Sequence, residues 1–175
     1  MTLVLESSAI KGGYLEDKYG ICTRDADDIA EGVPQRSFPL RWGNVPDGTE
    51  SLSLVFIDYD NVKDEGVPWI HWLVAGISAD IRFIDENISR SEADIIQGRN
   101  SWAMPYAPYG NISEDIICHY GGPAPTGIHK YELTLFALDR VSDLHNGFYY
   151  NEMRDSMTGH IIEKQKISMY YDGRR

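Results

Sequence analysis

Cysteine is scarce in this chain: Cys22 and Cys118 are the only two in 175 residues. Two thiols cannot build a disulfide framework, which excludes the small stapled folds of secreted mini-proteins. Cys22 lies in a polar stretch and Cys118 follows Ile116-Ile117, so both are expected as ordinary thiols, with a lone Cys22–Cys118 bridge left open. No apolar run approaches the roughly 18 residues that a membrane span needs. Glu6, Lys11, Glu16 and Asp17 interrupt any signal-peptide-like segment. The expectation is a cytoplasmic protein without a membrane span. Positive charge is also in short supply, with 16 Lys and Arg against 27 Asp and Glu and a net charge of −11. That balance repels polyanions at long range, so nucleic acid is not an expected partner. Any anion has to be caught locally, by oriented donors in a pocket.

Glycine and proline are present in moderate number, 16 and 8, as short clusters that punctuate apolar runs. This rhythm suits a β-sandwich or barrel, and the length suits one domain spanning residues 1–175. Ser51–Ile57 (SLSLVFI) is a strong strand signal, and Trp69–Ile77 (WIHWLVAGI), apolar on both faces, reads as a central strand. Tyr131–Leu138 is a third strand and Lys164–Tyr171 a fourth, more exposed one. Helix is sparse. Ser91–Gln97 is expected as a short helix capped by Ser91 and ended by Gly98, and Tyr150–Thr158 as another stopped by Gly159. Asn100–Asn111, rich in aromatics, Pro and Gly, reads as a long surface loop.

Three separated places put polar residues where strands would otherwise be apolar. Asp58 and Asp60 end the first strand and, at a period of two, share a side with Leu52, Leu54 and Phe56. His71 sits inside WIHWLV, on the face of Trp69 and Leu73. A rigid turn, Gly121 to Gly127, leads into His129 and Tyr131, two residues apart and so on one face. Each signal alone has a plain explanation: a hydrogen-bonded core histidine, a solvated strand end, a turn. Together they supply what an anion site needs. Imidazoles beside carboxylates hold their proton, a phenol adds an O–H, and backbone N–H groups of a glycine turn form an anion-binding concavity.

These residues resemble the phosphatidylethanolamine-binding protein family. Ser37-Phe38-Pro39-Leu40-Arg41-Trp42 and Val45-Pro46-Asp47-Gly48-Thr49-Glu50-Ser51 look like two of its ordered motifs. Asp58-Tyr59-Asp60 stands where the family has D-P-D, and Trp69-Ile70-His71-Trp72 where its central strand opens. Gly122-Pro123-Ala124-Pro125-Thr126-Gly127-Ile128-His129-Lys130-Tyr131 is similar to G-P-x-P-x-G-x-H-R-Y. The match runs from about residue 5 to residue 171, in order, and looks like the bacterial and archaeal Raf-kinase-inhibitor-like branch. The resemblance implies an all-β sandwich of two antiparallel sheets with a few short peripheral helices. It also implies an anion pocket at one end, made of Asp58, Asp60, His71, Gly122, Pro123, His129 and Tyr131. Tyr59 in place of proline, and a longer, more aromatic Asn100–Asn111 stretch able to cover the pocket, depart from the pattern.

The function this implies is non-enzymatic capture of a small anion or phosphorylated ligand, such as phosphate or a phospholipid head group. Modulation of a kinase or protease would follow from that capture. No cofactor is implied, and a homodimer is expected, with Tyr149-Tyr150 and Tyr170-Tyr171 as contact candidates. The alternative is a metal-dependent phosphoester hydrolase in which Asp58, Asp60, His71 and His129 hold the ion.

Overall fold

The structure, a computed structural model, describes residues 2–91, 95–106 and 111–174. In chain order its strands are β1 (Val4–Glu6), β2 (Ile10–Lys11), β3 (Tyr14–Leu15), β4 (Ile29–Ala30), β5 (Val33–Pro34) and β6 (Leu40–Gly43). They continue with β7 (Ser51–Asp58), β8 (Trp69–Ser78), β9 (Phe83–Ile84), β10 (Ile96–Gln97), β11 (Ile128–Leu138) and β12 (Ile161–Asp172). Helices α1 (Val62–Glu65), α2 (Glu114–Ile117) and α3 (Tyr150–Met157) are short.

The large sheet has the order β10-β8-β7-β11-β12-β3-β2, and a small sheet has the order β1-β6-β9. Pairing is antiparallel throughout except where β3 lies parallel to β12, Tyr14 opposite Tyr170. The small sheet covers one face of the large one. Leu5, Leu40 and Trp42 pack there against Leu52, Leu54 and Phe56 of β7 and Leu133 and Leu135 of β11. On the opposite face Phe148, Met153 and Met157 cover Val55, Ile57, Leu73 and Ala75. Both faces of the central strands are therefore dry, which is why all eight residues of β7 are buried and its sequence hardly alternates. Each such aliphatic or aromatic side chain contributes about 1.5–3 kcal/mol when fully buried.

Strands β7, β8, β11 and β12 fall where the sequence places them, each reaching a residue or a few beyond its expected limits. Helix α3 occupies the expected segment and ends before Gly159, which adopts φ 82°. The other expected helix is not formed as drawn. Glu92, Ala93 and Asp94 lie outside the described residues, Ser91 follows a 3₁₀ turn, and Ile96–Gln97 form an edge strand on β8. Gln97 explains the preference. Its buried amide oxygen accepts from Trp72 Nε1 at 2.8 Å and Ser89 Oγ at 2.6 Å, and its nitrogen donates to the Ser89 carbonyl at 3.0 Å. A helical turn would forfeit that network and the ladder to β8.

Asn100–Asn111 is likewise not wholly a surface loop. Asn100 and Trp102 are buried, and the Asn100 amide bridges the carbonyls of Ile116 and His119. Residues 107–110 of that stretch lie outside the described residues. Cys22 and Cys118 are free thiols.

Candidate functional site

Strand register assembles the site. Tyr131 of β11, Asp58 of β7 and Trp69 of β8 are direct cross-strand partners, so they form a row across one end of the large sheet. Tyr131 and Asp58, 73 positions apart in sequence, thereby meet on one face.

His71 joins this row because of a β-bulge. Phe56 pairs with Trp72 and Ile57 with Ile70, leaving His71 as the extra residue on β8. A bulge breaks the alternation of faces and re-aims a side chain. His71 therefore faces the same layer as its neighbour Trp72, with its ring against Phe56, Trp102 and Tyr131 at centroid distances of 5.4, 5.3 and 5.2 Å. Leu73 points to the opposite face, into the layer under α3. The expected sharing of a face with Leu73 is thus corrected, because a strict period of two does not cross a bulge.

A cavity of about 80 Å³ opens between these elements, lined by Asp58, Asn61, Glu65, Trp69, His71, Trp102, Ala124, Pro125 and Tyr131. His71 is 2% exposed and Tyr131 1% exposed. His71 Nε2 and Tyr131 Oη are buried there without a hydrogen-bond partner among the described residues. Unsatisfied buried polar atoms each cost about 1–3 kcal/mol, so two in one cavity are a penalty that the fold alone does not explain.

The protonation pattern is set by the surroundings. His71 Nδ1 lies 2.6 Å from the Gly121 carbonyl oxygen, which can only accept, so the ring proton sits on Nδ1. Burial pushes the His71 pKa down to about 4, against the pull of nearby Asp58. At neutral pH Nε2 is therefore a lone-pair acceptor. Burial, with Asp58 adding to it, raises the Tyr131 phenol far above its ordinary value, so that hydroxyl keeps its proton. The expectation that His71 is held charged by a neighbouring carboxylate is corrected: desolvation outweighs the Coulomb attraction.

His129 does not line the cavity but braces it. Its Nδ1 donates to Asp58 Oδ2 at 2.7 Å, and Nε2 lies 3.1 Å from Asp64 Oδ2 on α1. Asp58 also accepts from the Asn61 N–H at 3.1 Å. Asp60 stands outside, accepting from Lys63 Nζ at 2.8 Å and the Lys130 N–H at 2.9 Å, which hold its carboxyl below the usual range.

Gly122 and Pro123 also lie behind the lining. The Gly122 N–H donates to the Pro34 carbonyl at 2.8 Å, and the Pro123 carbonyl accepts from Ile21 at 2.8 Å. A Cβ on Gly122 would come within 2.3 Å of the Tyr19 carbonyl oxygen, so this turn needs glycine for close approach. Gly121 N–H is taken by the His71 carbonyl at 2.9 Å. The Gly121 and Gly122 N–H groups, expected to help form an anion concavity, are thus already spent on the fold. Ala124 and Pro125, from the same turn, are the ones that reach the cavity.

None of Asn61, Glu65, Trp69, Trp102, Ala124 and Pro125 is named as a site residue from sequence, although Trp69, Ala124 and Pro125 belong to motifs singled out there. Asn61 and Glu65 follow the Asp58-Tyr59-Asp60 signal by one to five positions, within reach of a short helix. Trp102 was hidden in a stretch read as surface, although Asn100 two residues earlier is a cap that accepts from its N–H. Tyr59 is half exposed and does not line the cavity. The four residues of the metal alternative do not meet at one point: both His129 nitrogens face carboxylates and Asp60 is turned away. Among the described residues no cluster of His, Cys, Asp and Glu is placed to hold a metal ion.

Comparison with known proteins places this geometry in context. The family model described as phosphatidylethanolamine-binding protein matches residues 6–172. An uncharacterized protein of Bacillus subtilis, YxkA, is 40% identical over 160 residues, covering 89% of this chain and 92% of the relative. A crystal structure described as a putative phosphatidylethanolamine-binding protein homolog from Chlamydia trachomatis aligns with TM-score 0.72 and 26% identity, over 99% of this chain and 98% of that one. Escherichia coli YbcL, described as a member of the mammalian PEBP family, aligns with TM-score 0.74 and 21% identity over 98% of each chain, a likeness of fold.

Proposed function

The chain belongs to the phosphatidylethanolamine-binding protein family, and we propose that its cavity binds, without catalysis, the acid group of a small oxyacid or phosphorylated ligand. The observation that supports this reading most is the pair of buried, unpartnered polar atoms, His71 Nε2 and Tyr131 Oη, in an 80 Å³ space. The volume suits a head group rather than a whole metabolite. The Tyr131 hydroxyl donates to one ligand oxygen, and a proton shared between His71 Nε2 and a second oxygen completes the site. Trp69 and Trp102, packed edge to face at 5.1 Å, form one wall of it. Beside these buried rings a hydrogen bond counts for more than in open solvent.

Calorimetric titration with inorganic phosphate and with acetate tests this reading. Saturable one-to-one binding is expected in the natural chain, weakened at least ~10-fold by Tyr131→Phe and by His71→Ala. Binding that neither substitution disturbs, or no binding at all, would remove the cavity from the account.

We extend the reading to modulation of a kinase or protease through a phosphorylated ligand, and to a homodimer. Tyr149 and Tyr170 are exposed and remain contact candidates, whereas Tyr150, the first residue of α3, packs partly against the Val55, Ile57 and Met153 cluster and Tyr171 is buried. Sedimentation of a Tyr149→Ala, Tyr170→Ala variant against the natural chain tests the dimer.

A further inference from the structure

We propose that the outer face of the large sheet carries a second binding site, a groove beside α3 that takes a small aromatic acid, its ring against Tyr59, Phe136 and Tyr150 and its acid group on Lys164. The groove lies on the opposite face of β7 from the anion cavity and does not depend on it.

The groove begins where the cover given by α3 ends. The layer under that helix is centred on Val55 and Ile57 of β7 and Leu73 and Ala75 of β8. Beyond it, β11 turns Glu132, Thr134 and Phe136 outward, and β12 turns Lys164 and Lys166 outward, none of them buried. Register sets these side chains together: Thr134 is opposite both Val55 and Lys166, Phe136 is opposite Lys164, and Glu132 is opposite Ile57. They border a space of about 410 Å³, within the range of roughly 300–1,000 Å³ that small-ligand sites occupy.

Tyr59 gives the groove its character. It continues the outward series Val55, Ile57 just past the end of β7, as a period of two requires. This is the position where the chain departs from the D-P-D pattern, and a proline there would present no ring. Tyr59 is 51% exposed and lines the groove with Tyr150, the first residue of α3, and Phe136. Burial, with Tyr150 and Glu132 adding to it, raises the Tyr59 phenol, so it serves as a neutral O–H donor. Aromatic walls favour an aromatic guest, because rings gain from offset or edge contact beyond the area they bury.

Charge sets the sign of the guest. Three charged residues line the groove. Lys166 donates to Glu132 at 2.8 Å, which closes that pair. The Lys164 ammonium has no ion pair or hydrogen bond among the described residues, and its side chain is exposed beside Phe136. An acid group complements this uncommitted cation.

The test is calorimetry on the full chain at neutral pH with naphthoate, naphthamide and octanoate, inorganic phosphate being present throughout to occupy the anion cavity. One-to-one binding of naphthoate is expected, at least ~5-fold tighter than naphthamide, which lacks the charge, and octanoate, which lacks the rings. Lys164→Glu should weaken naphthoate at least ~10-fold and leave naphthamide within ~2-fold. Tyr59→Ala should weaken both aromatic probes by a similar factor of at least ~5. His71→Ala, on the other face, should leave naphthoate binding within ~2-fold. No binding of naphthoate, naphthamide or octanoate matching it, or indifference to Lys164→Glu would overturn the site. Displacement by added phosphate, or loss in His71→Ala, would put the acid in the anion cavity and overturn it as well. None of these outcomes touches phosphate binding measured without naphthoate, so the two sites stand or fall separately.

Discussion

His71 and Gly121 hold each other twice. The Gly121 N–H donates to the His71 carbonyl at 2.9 Å, and His71 Nδ1–H donates to the Gly121 carbonyl at 2.6 Å. The first bond satisfies a carbonyl that the bulge takes out of the sheet ladder, and the second fixes which imidazole nitrogen faces the cavity. A side chain on Gly121 would place its Cβ 2.6 Å from the Trp102 ring. Gly121→Ala is therefore expected to cost about 1–3 kcal/mol in urea unfolding and to weaken phosphate binding as the Trp102 wall shifts. Gly127→Ala meets open space and should stay within about 0.5 kcal/mol of the natural chain. Equal effects of the two substitutions would contradict this packing.

Tyr131 carries a hydroxyl that is costly without a ligand. Tyr131→Phe removes a buried, unpartnered oxygen and should leave the ligand-free protein as stable or more so, by up to about 1 kcal/mol. The same change should weaken phosphate binding. Loss of stability in the absence of ligand would mean that the hydroxyl already has a partner.

The two carboxylates on His129 are unequal. Asp58 is buried and Asp64 is partly exposed. Removing one partner of a buried pair is severe, so Asp58→Asn should cost about 3 kcal/mol. Asp64→Asn should cost no more than about 1 kcal/mol, because solvent screens that pair. Denaturation of both variants side by side checks the order.

Acid should destabilise the protein partly through His71. Its pKa is near 4 in the fold and about 6.5 in an unfolded chain. Between those values the unfolded state binds more protons, so this contribution is complete above about pH 6.5 and is lost as pH falls towards 4. Its full size is of order 3 kcal/mol. His71→Gln should flatten the stability profile across that window, leaving the carboxylates to dominate below it. An unchanged slope would mean that His71 is not neutral in the fold.

The long buried strands were legible because both faces of β7 and β8 are covered, which writes continuous apolar runs into the sequence. The row Tyr131–Asp58–Trp69 was legible as three polar or aromatic strand ends, since antiparallel neighbours bring such ends together. The bulge at His71 was not, because one extra residue leaves no compositional trace and yet reverses a face. Nor was the Ile96–Gln97 strand, whose local sequence favours helix while Gln97 is claimed by Trp72 and Ser89, distant in the chain or across a turn. The donor count failed for a related reason. Glycine N–H groups look available in a sequence, but only the folded chain shows that Pro34 and His71 have taken them.

The most direct test of the central claim is a crystal structure of the protein grown with inorganic phosphate at neutral pH. The account predicts one phosphate in the β7–β8–β11 cavity, with separate oxygens in hydrogen-bond contact with His71 Nε2 and Tyr131 Oη. Phosphate seated instead in the open groove beside Lys11, Arg24 and Arg36, with the cavity empty, would contradict it.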